Sequence, residues 1–65
     1  MKFGEYIAML RYNNSLTQEQ LAELVNVSRQ TIYKWETSKS LPLIDKIKPL
    51  TIVLNVTVEE LLKFV

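Results

Sequence analysis

The chain has no cysteine and no histidine, and a single glycine among its 65 residues. Without cysteine, no disulfide staples the fold and no thiolate can bind a metal or attack a substrate. Without histidine, the commonest general base and the commonest metal ligand are both missing. The lone glycine, Gly4, leaves no glycine-rich loop to cradle phosphates. An enzyme is therefore not expected, and neither is a metal, a cofactor or a small-molecule substrate. No apolar run approaches the roughly 20 residues that a membrane helix needs. The opening Met1-Lys2-Phe3-Gly4-Glu5 is too polar for a signal peptide. A reducing cytoplasm is the expected location, with no membrane partner.

What is present points to one small domain, near the lower size limit for folding without metals or disulfides. The apolar fraction, 48%, is ordinary for a globular chain and too high for a disordered tail. A net charge of +1 says little about nucleic acid, but its distribution says more. Residues 28–40 carry Arg29, Lys34 and Lys39 against Glu36, a local net of +2. Residues 1–27 carry Lys2 and Arg11 against Glu5, Glu19 and Glu23, a net of −1. The positive charge sits where a DNA-facing helix would want it, although a solvated face accounts for the same charges.

Apolar period and capping chemistry together predict five helical segments. In the first, Phe3, Tyr6, Ile7 and Leu10 recur at helical spacing, and Asn13-Asn14 is the expected stop. One pattern then appears at three helix starts: Leu16-Thr17-Gln18-Glu19-Gln20-Leu21, Val27-Ser28-Arg29-Gln30-Thr31-Ile32 and Val56-Thr57-Val58-Glu59-Glu60-Leu61. In each, a hydroxyl can accept from an orphan N–H of the first turn while the flanking apolar pair closes as a staple. Gln20 and Glu60 complete capping boxes; Thr31 is a weaker partner. The fourth segment keeps the period through Ile44, Ile47, Leu50, Thr51 and Leu54, but Pro49 interrupts it. Either that helix starts late, near Lys48, or it is kinked. The last helix is expected to offer Val58, Leu61, Leu62 and Val65 to the core.

The segment from Thr17 to Glu36 carries the functional signal. Two short helices joined by Val25-Asn26-Val27 must cross steeply and closely. That geometry wants a small residue on the first helix, a turn residue tolerant of positive φ, and an apolar anchor on the second. Ala22, Asn26 and Ile32 stand there, at the spacing of a DNA-binding helix-turn-helix. At about 100° per residue, Arg29, Gln30, Tyr33 and Lys34 share one arc of the second helix, with Ile32 and Trp35 facing inward. Arg and Gln are planar bidentate groups suited to guanine and adenine edges. A polar solvent face on a bundle helix would show the same arc.

These stretches, with Leu10-Arg11 before them and Leu41-Pro42 and Leu54-Asn55-Val56-Thr57 after them, resemble the phage repressor/Cro family of helix-turn-helix proteins. It is also called the xenobiotic-response-element family. The resemblance covers nearly the whole chain, 1–65 as one domain, with the motif at about 17–36. It implies an all-α, five-helix, lambda-repressor-like fold. By resemblance Arg29, Gln30 and Lys34 reach bases, and Tyr33 touches a base or the backbone. Gln18 grips a phosphate and buttresses the next helix, with Thr17 and Ser28 beside the phosphates. Ser38 and Lys39 belong to the loop Thr37-Ser38-Lys39-Ser40 that lies along the backbone. Arg11 and Glu36 match a salt bridge beneath the motif. Two departures stand out: Thr37-Ser38 replaces the usual Asn-Gly, and Pro49 stands where a good helix former is common.

The expected function is sequence-specific binding of double-stranded DNA by a transcriptional regulator, a repressor before an activator. One such helix reads few base pairs, so a homodimer on a two-fold operator is expected. Phe64 and Val65, apolar and terminal, are expected at its interface; a frayed end is the alternative. The alternatives for function are the antitoxin of a toxin–antitoxin pair, using the same fold, and a helical interaction module that binds no DNA. The end of the chain just after the last helix suits either a complete Cro-like protein or one domain of a longer regulator.

Overall fold

The computed structural model describes all 65 residues, with helices α1 (Phe3–Asn13), α2 (Gln18–Val25), α3 (Arg29–Glu36), α4 (Ile44–Leu54) and α5 (Val58–Leu61) and a closing 3₁₀ turn, Leu62–Phe64. The joints between helices follow from local chemistry repeated along the chain. Thr17 Oγ1 accepts from Gln20 N–H at 3.0 Å while Gln20 Oε1 accepts from Thr17 N–H at 2.8 Å. Thr57 and Glu60 make the same reciprocal pair at α5, with both bonds at 3.1 Å. At α3 the Ser28 hydroxyl accepts from Thr31 N–H at 3.2 Å, and Thr31 answers with its hydroxyl, 3.0 Å from that of Ser28. That leaves the return bond of a full box unmade.

The helix ends share a second device. Ser15, Asn26, Ser38 and Asn55 all take positive φ, between 58° and 60°. In each case the following N–H reaches back five residues: Leu16 to Arg11, Val27 to Ala22, Lys39 to Lys34 and Val56 to Thr51, at 2.9–3.1 Å. This is the 6→1 bond of a Schellman turn, which satisfies a carbonyl that the helix end would otherwise orphan. Three joints thus become a left-handed residue, an apolar residue and a hydroxyl cap: Ser15-Leu16-Thr17, Asn26-Val27-Ser28 and Asn55-Val56-Thr57. Helix α1 stops at Asn13 with Asn14 as its C-cap, as the Asn13-Asn14 pair predicts, and the left-handed residue of the turn is the next one, Ser15. Asn14 donates from Nδ2 to the carbonyls of Leu10 (2.8 Å) and Leu54 (3.1 Å), tying α1 to α4.

One core results, from Phe3, Tyr6, Ile7 and Leu10 of α1, Leu21, Ala22 and Val25 of α2, Ile32 and Trp35 of α3, Leu50 and Leu54 of α4, and Leu61 of α5. Ala22 and Ile32 are both buried where α2 crosses α3. Gly4 allows α1 to reach α3: a Cβ there would lie 2.6 Å from the Trp35 carbonyl oxygen and closer still to that of Glu36.

Three expectations are corrected. Helix α4 begins at Ile44 and runs through Pro49 to Leu54, so of the two alternatives the late start near Lys48 is ruled out. Pro49 deprives only the Asp45 carbonyl of its helical partner, and Asp45 is exposed, so water can satisfy it. Ile44, placed by period on the core side, lies at the first turn and is exposed. On α5, only Leu61 reaches the core; Val58 is 47% exposed, Leu62 41% and Val65 66%. The α-helix stops after Leu61 and the 3₁₀ turn redirects the side chains that follow, which places Phe64 edge-on against Tyr6, ring centroids 4.9 Å apart. No helix is long and apolar enough to cross a membrane, and no group of three or more acidic residues is placed to hold a metal ion.

Candidate nucleic-acid interface

The Ser28 cap starts α3, and the packing of Ile32 and Trp35 fixes its rotation. Arg29, Gln30, Tyr33 and Lys34 therefore stand together on the exposed side. With its side chains an α-helix is about 10–12 Å across, a match to a major groove about 12 Å wide. Arg29, Gln30 and Tyr33 line a shallow depression on this face. Lys39 lies across its edge, with Nζ 6.0 Å from the Tyr33 ring centroid.

Beside this face, a second cleft of about 550 Å³ opens at the start of α2, lined by Arg11, Tyr12, Leu16, Thr17, Gln18, Glu19 and Arg29. Arg29 borders both depressions and divides them. The Thr17 and Ser28 hydroxyls, expected beside phosphates, are already acceptors for their own helices. Ser38 occupies the left-handed position where Gly is usual, so the loop keeps a Schellman turn despite losing the Asn-Gly pair.

Beneath the two clefts lies an ion pair that is almost dry. Arg11 Nε donates to Glu36 Oε2 at 2.6 Å and Nη2 to Oε1 at 3.0 Å, with the two side chains 8% and 6% exposed. Arg11 Nη1 is taken by the Leu16 carbonyl at 2.9 Å. The hydrogen bond to Glu36 raises the Arg11 pKa above the ordinary guanidinium value, outweighing the opposing effect of burial. The network then continues outward. Gln18 Nε2 donates to Glu36 Oε1 at 3.0 Å, and Arg29 Nη1 donates to Gln18 Oε1 at 3.0 Å. No buried side-chain polar atom is left without a partner.

The structure thus gathers Arg11, Glu36, Gln18 and Arg29 into one network and leaves Gln30, Tyr33, Lys34 and Lys39 outside it, exposed on the surface. Two residues escape the sequence reading. Tyr12 is exposed and lines the second cleft, with the Arg11 guanidinium 4.5 Å above its ring centroid. Its adjacency to Arg11 was the only available signal. Lys46 of α4 reaches the Asn26 carbonyl at 3.5 Å, at the turn of the motif.

The comparisons with known proteins agree with this geometry. Residues 7–61 match the helix-turn-helix family. The HTH-type transcriptional activator BcrR of Enterococcus faecalis is 45% identical over 62 residues, which are 95% of this chain and 30% of that protein. The chain therefore spans less than a third of that relative's length. The P22 c2 repressor, solved in complex with a synthetic operator, superposes with a TM-score of 0.92 at 29% identity, covering 100% of this chain and 98% of that one. The solution structure of the DNA-binding domain of the same repressor gives 0.90 at 30% identity, covering 97% and 83%. With five helices, an α2–α3 motif and a sequence match over most of its length, the chain belongs to the Cro/C1-type helix-turn-helix family.

Proposed function

We propose that the chain is the DNA-reading domain of a transcriptional regulator, binding double-stranded DNA by sequence and acting in the cytoplasm. The observation that carries this reading is the exposed arc of α3. Four side chains able to contact base edges share it, locked in rotation by Ile32 and Trp35. Helix α3 lies in the major groove. The start of α2 faces a phosphate, where its free N–H groups and dipole favour an anion. Arg29, Gln30 and Lys34 read bases, with Tyr33 at a base or the backbone. Gln18, Thr17, Ser28, Ser38 and Lys39 set the register along phosphates, which carry most of the affinity and no sequence information. Two copies bind half-sites about one helical turn apart.

The named relatives include an activator and a repressor. Repression by covering a promoter is the simpler outcome of binding alone. The experiment is titration of variants against cognate and scrambled duplexes at several salt concentrations. Arg29→Ala or Gln30→Ala costs about 1–3 kcal/mol at the cognate site and relaxes one or two base pairs. Lys39→Ala weakens all sequences alike and reduces the salt slope by about one unit. Full discrimination retained by both Arg29→Ala and Gln30→Ala would remove α3 as the reader.

A further inference from the structure

Gln18 sits between two groups whose hydrogen-bonding character cannot invert. On one side Glu36 Oε1, a carboxylate oxygen that only accepts, lies 3.0 Å from Gln18 Nε2. On the other, Arg29 Nη1, a guanidinium nitrogen that only donates, lies 3.0 Å from Gln18 Oε1. An amide turned over would set oxygen against carboxylate oxygen and N–H against guanidinium N–H, so one orientation survives. Glu36 is itself held from the core by Arg11, through bonds of 2.6 and 3.0 Å, and Arg11 by the Leu16 carbonyl. A chain of fixed donors and acceptors therefore runs from the core to the exposed arc. It ends on Arg29, the residue that borders both clefts.

We propose that Glu36, acting through the Gln18 amide, aims the Arg29 guanidinium and so sets specificity at the base pair Arg29 reads. Glu36 is a positioning residue in this scheme, lying behind Gln18 and 6% exposed. The inference rests on the DNA-reading role of α3. With one Nη1 hydrogen held by Gln18, the guanidinium keeps N–H groups on both terminal nitrogens for a planar acceptor pair. Guanine O6 and N7 present such a pair in the major groove. The half-site is thus expected to carry a guanine facing Arg29. A free arginine at this position would sample other bases and phosphates, while a held one favours a single edge.

The test compares the parent with Glu36→Gln, Gln18→Met, Arg29→Ala and the double variant Glu36→Gln/Arg29→Ala. Each is titrated against duplexes changed at one base pair at a time, with folding checked by circular dichroism. Arg29→Ala identifies the base pair read by Arg29; there the parent should prefer guanine by about fivefold to 150-fold. Gln18→Met should lose most of that preference while keeping discrimination at the pair read by Gln30, and Glu36→Gln, whose one remaining acceptor oxygen must serve both Arg11 and Gln18, should lose part of it. In the double variant the preference should fall no further than in Arg29→Ala alone. A purely structural role would lower affinity for every duplex by the same factor and leave the guanine preference intact, which overturns the proposal. Should Glu36→Gln not fold, Gln18→Met, on the half-buried rim, decides the matter in the same way. Discrimination kept by Arg29→Ala itself would instead remove the reading role on which the proposal stands.

Discussion

Glu36→Ala strands a cation. Arg11 makes three side-chain hydrogen bonds, two of them to Glu36, in a position where its side chain is 8% exposed. Truncating Glu36 leaves only the bond to the Leu16 carbonyl and also deprives Gln18 Nε2 of its acceptor. Breaking such a pair from one side costs about 3–5 kcal/mol. At about 0.05–0.15 kcal/mol per residue, a chain of this length has only about 3–10 kcal/mol in total. The variant should therefore be partly unfolded at room temperature or melt far below the parent. A 3 kcal/mol loss alone corresponds to about 12–24 °C for a domain of this size.

Equilibrium urea unfolding, followed through buried Trp35 fluorescence and helicity, measures this loss directly. The control is Arg11→Met/Glu36→Leu, which removes both charges and should lie within about 1 kcal/mol of the parent or above it. If the double variant is as unstable as Glu36→Ala, the loss comes from packing and the stranded-charge argument fails. A Glu36→Ala protein within about 1 kcal/mol of the parent would also refute it. The raised Arg11 pKa adds a condition on pH. A base whose folded pKa is raised contributes fully below its unfolded value, and the contribution fades only as pH climbs through the folded one. For arginine both lie above the working range, so the difference between parent and double variant should stay flat between about pH 7 and 10.

Gly4→Ala should destabilise by about 1–3 kcal/mol despite alanine's better helix propensity, because its Cβ meets the Trp35 and Glu36 backbone; a higher melting temperature would show that α1 and α3 separate freely. Ser38→Gly should stabilise by about 0.5–1 kcal/mol, since serine is strained at φ 60° and glycine is not; a loss by urea titration would mean that the Ser38 side chain contributes a contact of its own. Pro49→Ala should stabilise by about 1–3 kcal/mol by returning a donor to the Asp45 carbonyl; a net loss would show that the half-buried ring's packing outweighs the missing bond.

The joints were legible in the sequence wherever the chemistry is local. Thr17, Ser28 and Thr57 cap their helices through residues three positions away, and Asn26 reverses the chain as its side chain predicts. Ser15 and Ser38 carry no such signature, since serine has no preference for the left-handed region; the packing of flanking helices puts them there. The last helix misled because a helical wheel assumes continuity. The face shared by Val58, Leu61, Leu62 and Val65 exists only if the α-helix continues, and it ends at Leu61. Pro49 misled in the other direction: Leu50 and Leu54 are fully buried, and their packing carries α4 through a residue that local propensity marks as a break. At the candidate site, the arc of α3 could be read because it is one short helix with a clear period. The bond from Gln18 to Glu36 spans 18 positions in the chain, and only the folded crossing of α2 and α3 brings the two together.

A domain this small has a reason to avoid a buried ion pair, because desolvation takes back most of what the charges contribute and an apolar pair of similar volume does as well or better. The pair persists here in a place where an apolar pair could not do the same job. Leucine at position 36 would leave Gln18 with no acceptor behind it, and the amide would then be free to turn. The carboxylate takes two hydrogen bonds from Arg11 beneath it, from Nε and Nη2. It needs Gln18 above it because Oε1 has a second lone pair to satisfy, and Gln18 supplies the donor. Stability and reading therefore pull on the same residues in opposite directions. Arg11→Met/Glu36→Leu, expected to be at least as stable as the parent, is by the same argument expected to be the blunter reader at the base pair that Arg29 faces. A variant that proved both more stable and equally selective would break that link, since it would show that Arg29 needs no aim beyond the rotation of its own helix.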